Sequence, residues 1–159
     1  DLNVILTRRS PSLRVHSGEV SFPGGRREPD EGLVDTALRE AREEIGLDPS
    51  GVDVVGELDH LTTITSGSFI VPYVGLLASG RPVVTPNPAE VEAVLHVPLS
   101  ELLLPEVYRE ERWHIFGMVR PIFFFELMGD TVWGATAAML RQLLGLLTGT
   151  LTRGDLDHD

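Results

Sequence analysis

Glu40, Glu43 and Glu44 stand at i, i+3 and i+4 within FPGGRREPDEGLVDTALREAREEIGL, residues 22–47. On a helix that spacing gathers three carboxylates on one face, within about 6 Å of one another at Cβ. Like charges that close repel, and two arrangements relieve them: a solvated face shared with Arg39 and Arg42, or a cation held among them. The surrounding residues make the cation a credible alternative to the solvated face. Gly24 and Gly25, after Pro23, let the backbone turn tightly and bring a carbonyl to the helix, and Glu31 adds a carboxylate at its start. A hard divalent cation wants oxygen ligands, and Mg²⁺ takes a few carboxylates and completes its shell with water and substrate phosphate.

The elements that must position these groups are legible in outline. Val34, Leu38, Ala41 and Ile45, at spacings of 4, 3 and 4, predict a helix over about 31–45 with an apolar stripe opposite the glutamates. Asp30 is the expected N-cap and Gly46 the expected left-handed C-terminal cap. A second helix is expected over about 134–148, apolar on most faces and packed on a sheet. Strand-like runs lie at 3–7, 19–22, 52–61, 69–78, 90–98 and 122–127, the last followed by TVW. Residues 8–19 and 79–90 are the expected working loops. The pattern predicts an α/β fold with a mixed sheet between helices, in one domain over 1–159.

Composition excludes several classes. Thirteen arginines, with no lysine, stand against 24 Asp and Glu, a net charge of −11 that argues against a broad footprint on nucleic acid. With no cysteine there is no disulfide framework and no thiolate metal site, and the five histidines lack zinc-site spacing. The cytoplasm is the expected compartment. No run is long and apolar enough for a membrane span, and MVRPIFFFELMG is broken by Arg120, Pro121 and Glu126. The chain opens on Asp1 and runs straight into LNVIL, which reads as a fragment lacking its N-terminal region. Trp113, Trp133 and Phe123–Phe125 are expected in a core or interface.

Gly25, Glu31 and the run from Arg39 to Leu47 resemble the Nudix box, Gly-x5-Glu-x7-Arg-Glu-U-x-Glu-Glu-x-Gly-U, at every fixed position; only Ala41 is smaller than the usual aliphatic. The resemblance implies the Nudix fold, an α/β/α sandwich around a central mixed sheet. It also implies hydrolysis of a nucleoside diphosphate linked to another moiety, with Mg²⁺ or Mn²⁺. By the same resemblance Glu40 and Glu44 are the firmest metal ligands, with Glu43 close behind, and the carbonyl at Gly25 joins the metal shell. Arg39 orients a glutamate by ion pairing, and Glu31 braces the loop and helix.

Upstream, ILTRRSPSLRVHSGEVSFPGG, residues 5–25, resembles the signature of the Nudix coenzyme A diphosphatases, with Ile5 for Leu as the one conservative departure. That implies a small-molecule substrate, coenzyme A or a derivative, cleaved to 3′,5′-ADP and 4′-phosphopantetheine or its acyl form. Arg9 and Arg14 are candidate anion contacts in a chain of charge −11, and His16 is a third candidate substrate contact. Two carboxylates compete for the general base, Glu43 on the helix and Glu90 after the second loop, with Glu92 in reserve. Alternatives stay open: a Nudix hydrolase acting on ADP-ribose or another nucleoside diphosphate, or a noncatalytic nucleotide-sensing module.

Overall fold

A computed structural model describes residues 1–14, 18–64, 66–78 and 80–151. The chain packs as two compact units. One comprises Val4–Glu57 and Tyr73–Val97; the other comprises Asp1–Asn3, Leu58–Pro72 and the chain from Pro98.

The first unit carries the glutamates. Strand β1 (Asn3–Arg9) lies between β2 (Val20–Ser21) and β7 (Val91–Pro98), and β3 (Val52–Glu57) pairs antiparallel with β6 (Tyr73–Leu77). Val4, Leu6, Val20 and Val91 bury the apolar positions of this strand set. Helix α1 (Leu33–Ile45) buries Ala41 and Ile45, while Val34 and Leu38 are half-buried, so the predicted stripe is the inward face. Gly46, at φ 68°, ends the helix as expected, its amide closing on the Arg42 carbonyl.

The predicted N-cap is corrected. Gly32 occupies that position with no side-chain cap, and Asp30 sits at φ 63°, outside the helix. Side-chain bonding explains the difference: Glu31 Oε1 accepts from the Thr36 hydroxyl (2.7 Å) and from the Glu28 amide (3.2 Å). Glu31 therefore organises the entry turn that a capping Asp30 would otherwise hold.

In the second unit β8 (Tyr108–Ile115), β9 (Met118–Leu127) and β10 (Asp130–Trp133) form an antiparallel meander. After the short helix α2 (Leu99–Leu102), helix α3 (Gly134–Thr148) packs on β9 and β10, burying Ala137, Leu140 and Leu144, as the second predicted helix requires. Phe123, Phe124 and Phe125 are buried. Trp113 and Trp133 remain partly exposed, the latter stacked on Phe124. The predicted runs 52–61 and 69–78 are interrupted, each supplying a long strand (β3, β6) and a two-residue piece, β4 (Leu61–Thr62) and β5 (Phe69–Ile70), that pair with each other.

Strand β8 is absent from the sequence expectation, and its residues show why. YREERWHI has no apolar alternation; its charges pair on the exposed faces, Arg109 with Glu111 (3.3 Å) and Glu126 (3.2 Å), and Arg112 with Glu110 (3.3 Å). Its partner β9 and the tight Phe116–Gly117 turn, both residues at positive φ, define it instead. Among the described residues no helix is long and apolar enough to cross a membrane.

Candidate active site

Backbone turns and one arginine build the site. Gly24 and Gly25 run past α1 closely enough that the Gly24 amide donates to Glu44 Oε1 at 3.0 Å. A Cβ at Gly25 would stand 2.6 and 2.7 Å from the two carboxylate oxygens of Glu40. Only glycine leaves that carboxylate its place. Gly25→Ala is therefore expected to displace Glu40 and weaken Mn²⁺ binding about tenfold or more, with little loss of thermal stability because the moved group is a side-chain end. Calorimetric titration with Mn²⁺ beside a melting curve checks this; unchanged affinity would sink it.

Arg39 is the hub of the helix face. Its Nε and Nη2 fork onto Glu31 at 2.7 and 3.1 Å, while Nη1 donates to Glu40 (3.0 Å) and Glu43 (3.2 Å) and Nη2 to the Arg26 carbonyl (3.0 Å). Such a planar fork reaches acceptors spread over three nitrogens in fixed geometry, whereas a lysine offers its donors from a single nitrogen. The Arg39 bond, then that from Thr36, draws the Glu31 carboxyl down to about 2, and Glu31 in turn raises Arg39. Across the dominant pH range this is a fixed ion pair.

Arg9, Leu13, Gly24, Gly25, Glu40, Glu44 and Glu90 line one open pocket of about 200 Å³. Arg9 ends β1, Glu90 directly precedes β7, and the Ser10 amide donates to the Glu90 carbonyl at 2.9 Å. Three chain segments far apart in sequence thus deliver a cation and three carboxylates to one place. Glu44 is the buried member, at 8% exposure. Burial, opposed by the Gly24 amide and Arg9 and reinforced by Glu40 and Glu90, pushes its carboxyl up to about 7. Arg9 Nε is buried and has no hydrogen-bond partner among the described residues.

The other predicted residues lie differently. Glu43 does not line the pocket; its half-exposed carboxylate is turned to Arg39. Arg14 is exposed and outside the lining, Glu92 reaches toward Arg8 at 3.9 Å, and His16 lies outside the described residues. Leu13 is a lining residue that sequence reasoning passed over, having no chemistry to announce it.

Does this donor set suit a divalent cation? Among the described residues no three acidic or histidine side chains already converge as a metal site, and Glu40 is held by Arg39. The chemistry nevertheless fits: three carboxylates face one pocket, and the buried one is destabilised as an anion until a cation joins it.

A family model described as the NUDIX domain matches residues 1–116. The chain belongs to the Nudix family. Nudix hydrolase 22, chloroplastic, of Arabidopsis thaliana is 46% identical over 153 residues, covering 88% of this chain and 48% of that protein. The uncharacterized Nudix hydrolase NudL of Photorhabdus laumondii is 40% identical over 141 residues, covering 88% of this chain and 74% of its own. This Nudix chain spans about half the length of its plant relatives, 48% for the first and 51% for Nudix hydrolase 15, mitochondrial. The crystal structure of the Nudix hydrolase RenU from M. smegmatis superposes with a TM-score of 0.56 over 94% of this chain and 77% of that one, at 18% identity, and shares the Nudix fold. Helix α1 with its preceding glycine turn carries the residues that resemble the Nudix box.

Proposed function

We propose that this Nudix chain hydrolyses the diphosphate of coenzyme A or an acyl derivative, giving 3′,5′-ADP and 4′-phosphopantetheine or its acyl form, with Mg²⁺ or Mn²⁺. One observation carries the reading: Arg9, from the segment resembling the coenzyme A signature, lines the same pocket as Glu40 and Glu44 of the Nudix box. Residues that would select the substrate lie beside residues suited to its linkage.

Glu40, Glu44 and Glu90, with the backbone of the Gly24–Gly25 turn, are the groups that would hold the cation. When bound, a divalent cation neutralises the diphosphate and makes a water more acidic. Arg9 offers its orphaned Nε–H to a phosphate oxygen, and so helps a polyanion enter a chain of charge −11. Arg14 and His16 are proposed as further substrate contacts from the same loop. Glu90 is the preferred general base, because it lines the pocket, whereas Glu43 must first leave Arg39. Arg39 acts by positioning Glu31, Glu40 and Glu43 rather than by touching substrate. The two units are proposed to serve as one domain, in a reducing compartment such as the cytoplasm on the cysteine-free composition.

The test presents coenzyme A, acetyl-coenzyme A and ADP-ribose in turn, with Mg²⁺ and with Mn²⁺, and resolves products by mass. Release of 3′,5′-ADP from the coenzyme A species is expected. AMP from ADP-ribose alone would transfer the activity to another nucleoside diphosphate, and no hydrolysis at all would favour a nucleotide-sensing module.

A further inference from the structure

The loop over residues 80–90 does more than join β6 to β7. Its Thr85 amide donates to the Ile45 carbonyl at 2.7 Å, and its Asn87 amide to the Glu44 carbonyl at 2.8 Å. These are two of the carbonyls that a helix end leaves without an internal partner. Asn87 then forms a compact turn: its own carbonyl accepts from the amides of Glu90 (3.0 Å) and Val91 (2.8 Å), and its Oδ1 from the Ala89 amide (3.2 Å). Asn and Asp favour such a turn because the side-chain oxygen mimics a backbone carbonyl. A single residue is thus bonded on one side to the backbone of Glu44 and on the other to that of Glu90, two carboxylates that share the pocket.

We propose that Asn87 is a positioning residue for this site: its side-chain turn fixes the loop whose backbone bonds to Glu44 and Glu90 hold the two carboxylates at one pocket. The proposal rests on the reading of Glu44 and Glu90 as parts of one cation-holding pocket. The loop's bonds to the Ile45 and Glu44 carbonyls tie it to the end of α1, and the Ser10 amide's bond to the Glu90 carbonyl holds its far end beside β1. Removing the side chain deletes the Asx turn alone and leaves the backbone bonds to a looser loop.

The experiment compares Asn87→Ala, Asn87→Asp and Glu90→Gln in the full chain, by Mn²⁺ titration with the metal's own paramagnetic signal, by turnover of coenzyme A, and by thermal melting. Asn87→Ala is expected to weaken Mn²⁺ about tenfold and to lower kcat more than it raises KM. Asn87→Asp, which rebuilds the turn, is expected to recover most of both. A purely structural role would lower the melting temperature yet leave the Mn²⁺ affinity of the folded protein intact. Mn²⁺ affinity in Asn87→Ala within about twofold of wild type, beside a damaged Glu90→Gln, would overturn the positioning role alone. So would an Asn87→Asp protein as impaired as Asn87→Ala. A Glu90→Gln protein matching wild type in affinity and turnover would remove the assignment of Glu90 itself, and the proposal with it.

Discussion

Glu44→Gln is expected to abolish Mg²⁺-supported hydrolysis while making the metal-free protein more stable above pH 7. The first effect follows from removing the most buried carboxylate of the pocket, and a loss on the order of a thousandfold matches the several kcal/mol that a catalytic cation supplies. The second follows from linkage. Burial raises the folded carboxyl to about 7 from its ordinary 4.5. A raised carboxyl contributes stability that is complete below pH 4.5 and lost as pH climbs through 7, because the fold then holds a desolvated anion. Glutamine keeps an oxygen for the Gly24 amide and never ionises. The variant should therefore melt alongside wild type near pH 4 and above it at pH 8, by about 1–2 kcal/mol, discounted for the solvent that reaches the open pocket. Added Mg²⁺ should raise the wild-type melting temperature at pH 8, progressively less below pH 7 where it must displace a proton, and should leave the variant unmoved. A variant less stable than wild type at pH 8 would overturn the assigned burial of charge.

Arg39→Lys is expected to behave as a loss, not as a conservative change. Its guanidinium serves Glu31 through two nitrogens and simultaneously reaches Glu40, Glu43 and the Arg26 carbonyl. An ammonium keeps the charge but cannot span that fork, so Glu40 loses its fixed orientation over Gly25. Turnover and Mn²⁺ affinity should each fall about 10- to 100-fold, the range for residues that orient ligands. Acid titration supplies a separate readout. Glu31 is held at about 2, so its ion pair stabilises the fold above pH 4.5 and is lost as pH falls through 2. The gap in melting temperature between wild type and Arg39→Gln should therefore narrow over that window. A gap constant from pH 5 to pH 2 would show that Glu31 depends on another partner.

Helix α1 was legible because its information is local. A 3.6-residue period places Val34, Leu38, Ala41 and Ile45 on one face and the glutamates on another, and Gly46 marks its end. Asp30 is not the N-cap because a capping preference is a competition, and the Glu31 side chain, bonded to Thr36 and Glu28, settles the turn differently. Strand β8 was illegible because its exposed charged faces carry no hydrophobic alternation; the ladder to β9 exists only after the chain turns at Phe116–Gly117.

The sequence by itself determined the chemistry available: a Nudix box whose carboxylates suit a divalent cation, and an upstream segment with arginines suited to phosphate. Helical spacing alone treats Glu40, Glu43 and Glu44 as equivalents. Only the tertiary structure separated them, by laying the Gly24–Gly25 turn against Glu40 and Glu44 and leaving Glu43, bonded like Glu40 to Arg39, outside the pocket lining. It also brought Arg9 and Glu90 to the same pocket across some eighty residues of chain, and anchored the Asn87 loop to the end of α1. The physical reason is range: periodicity and capping act within a turn or two of helix, whereas a pocket is defined by backbone contacts between segments that no local pattern relates.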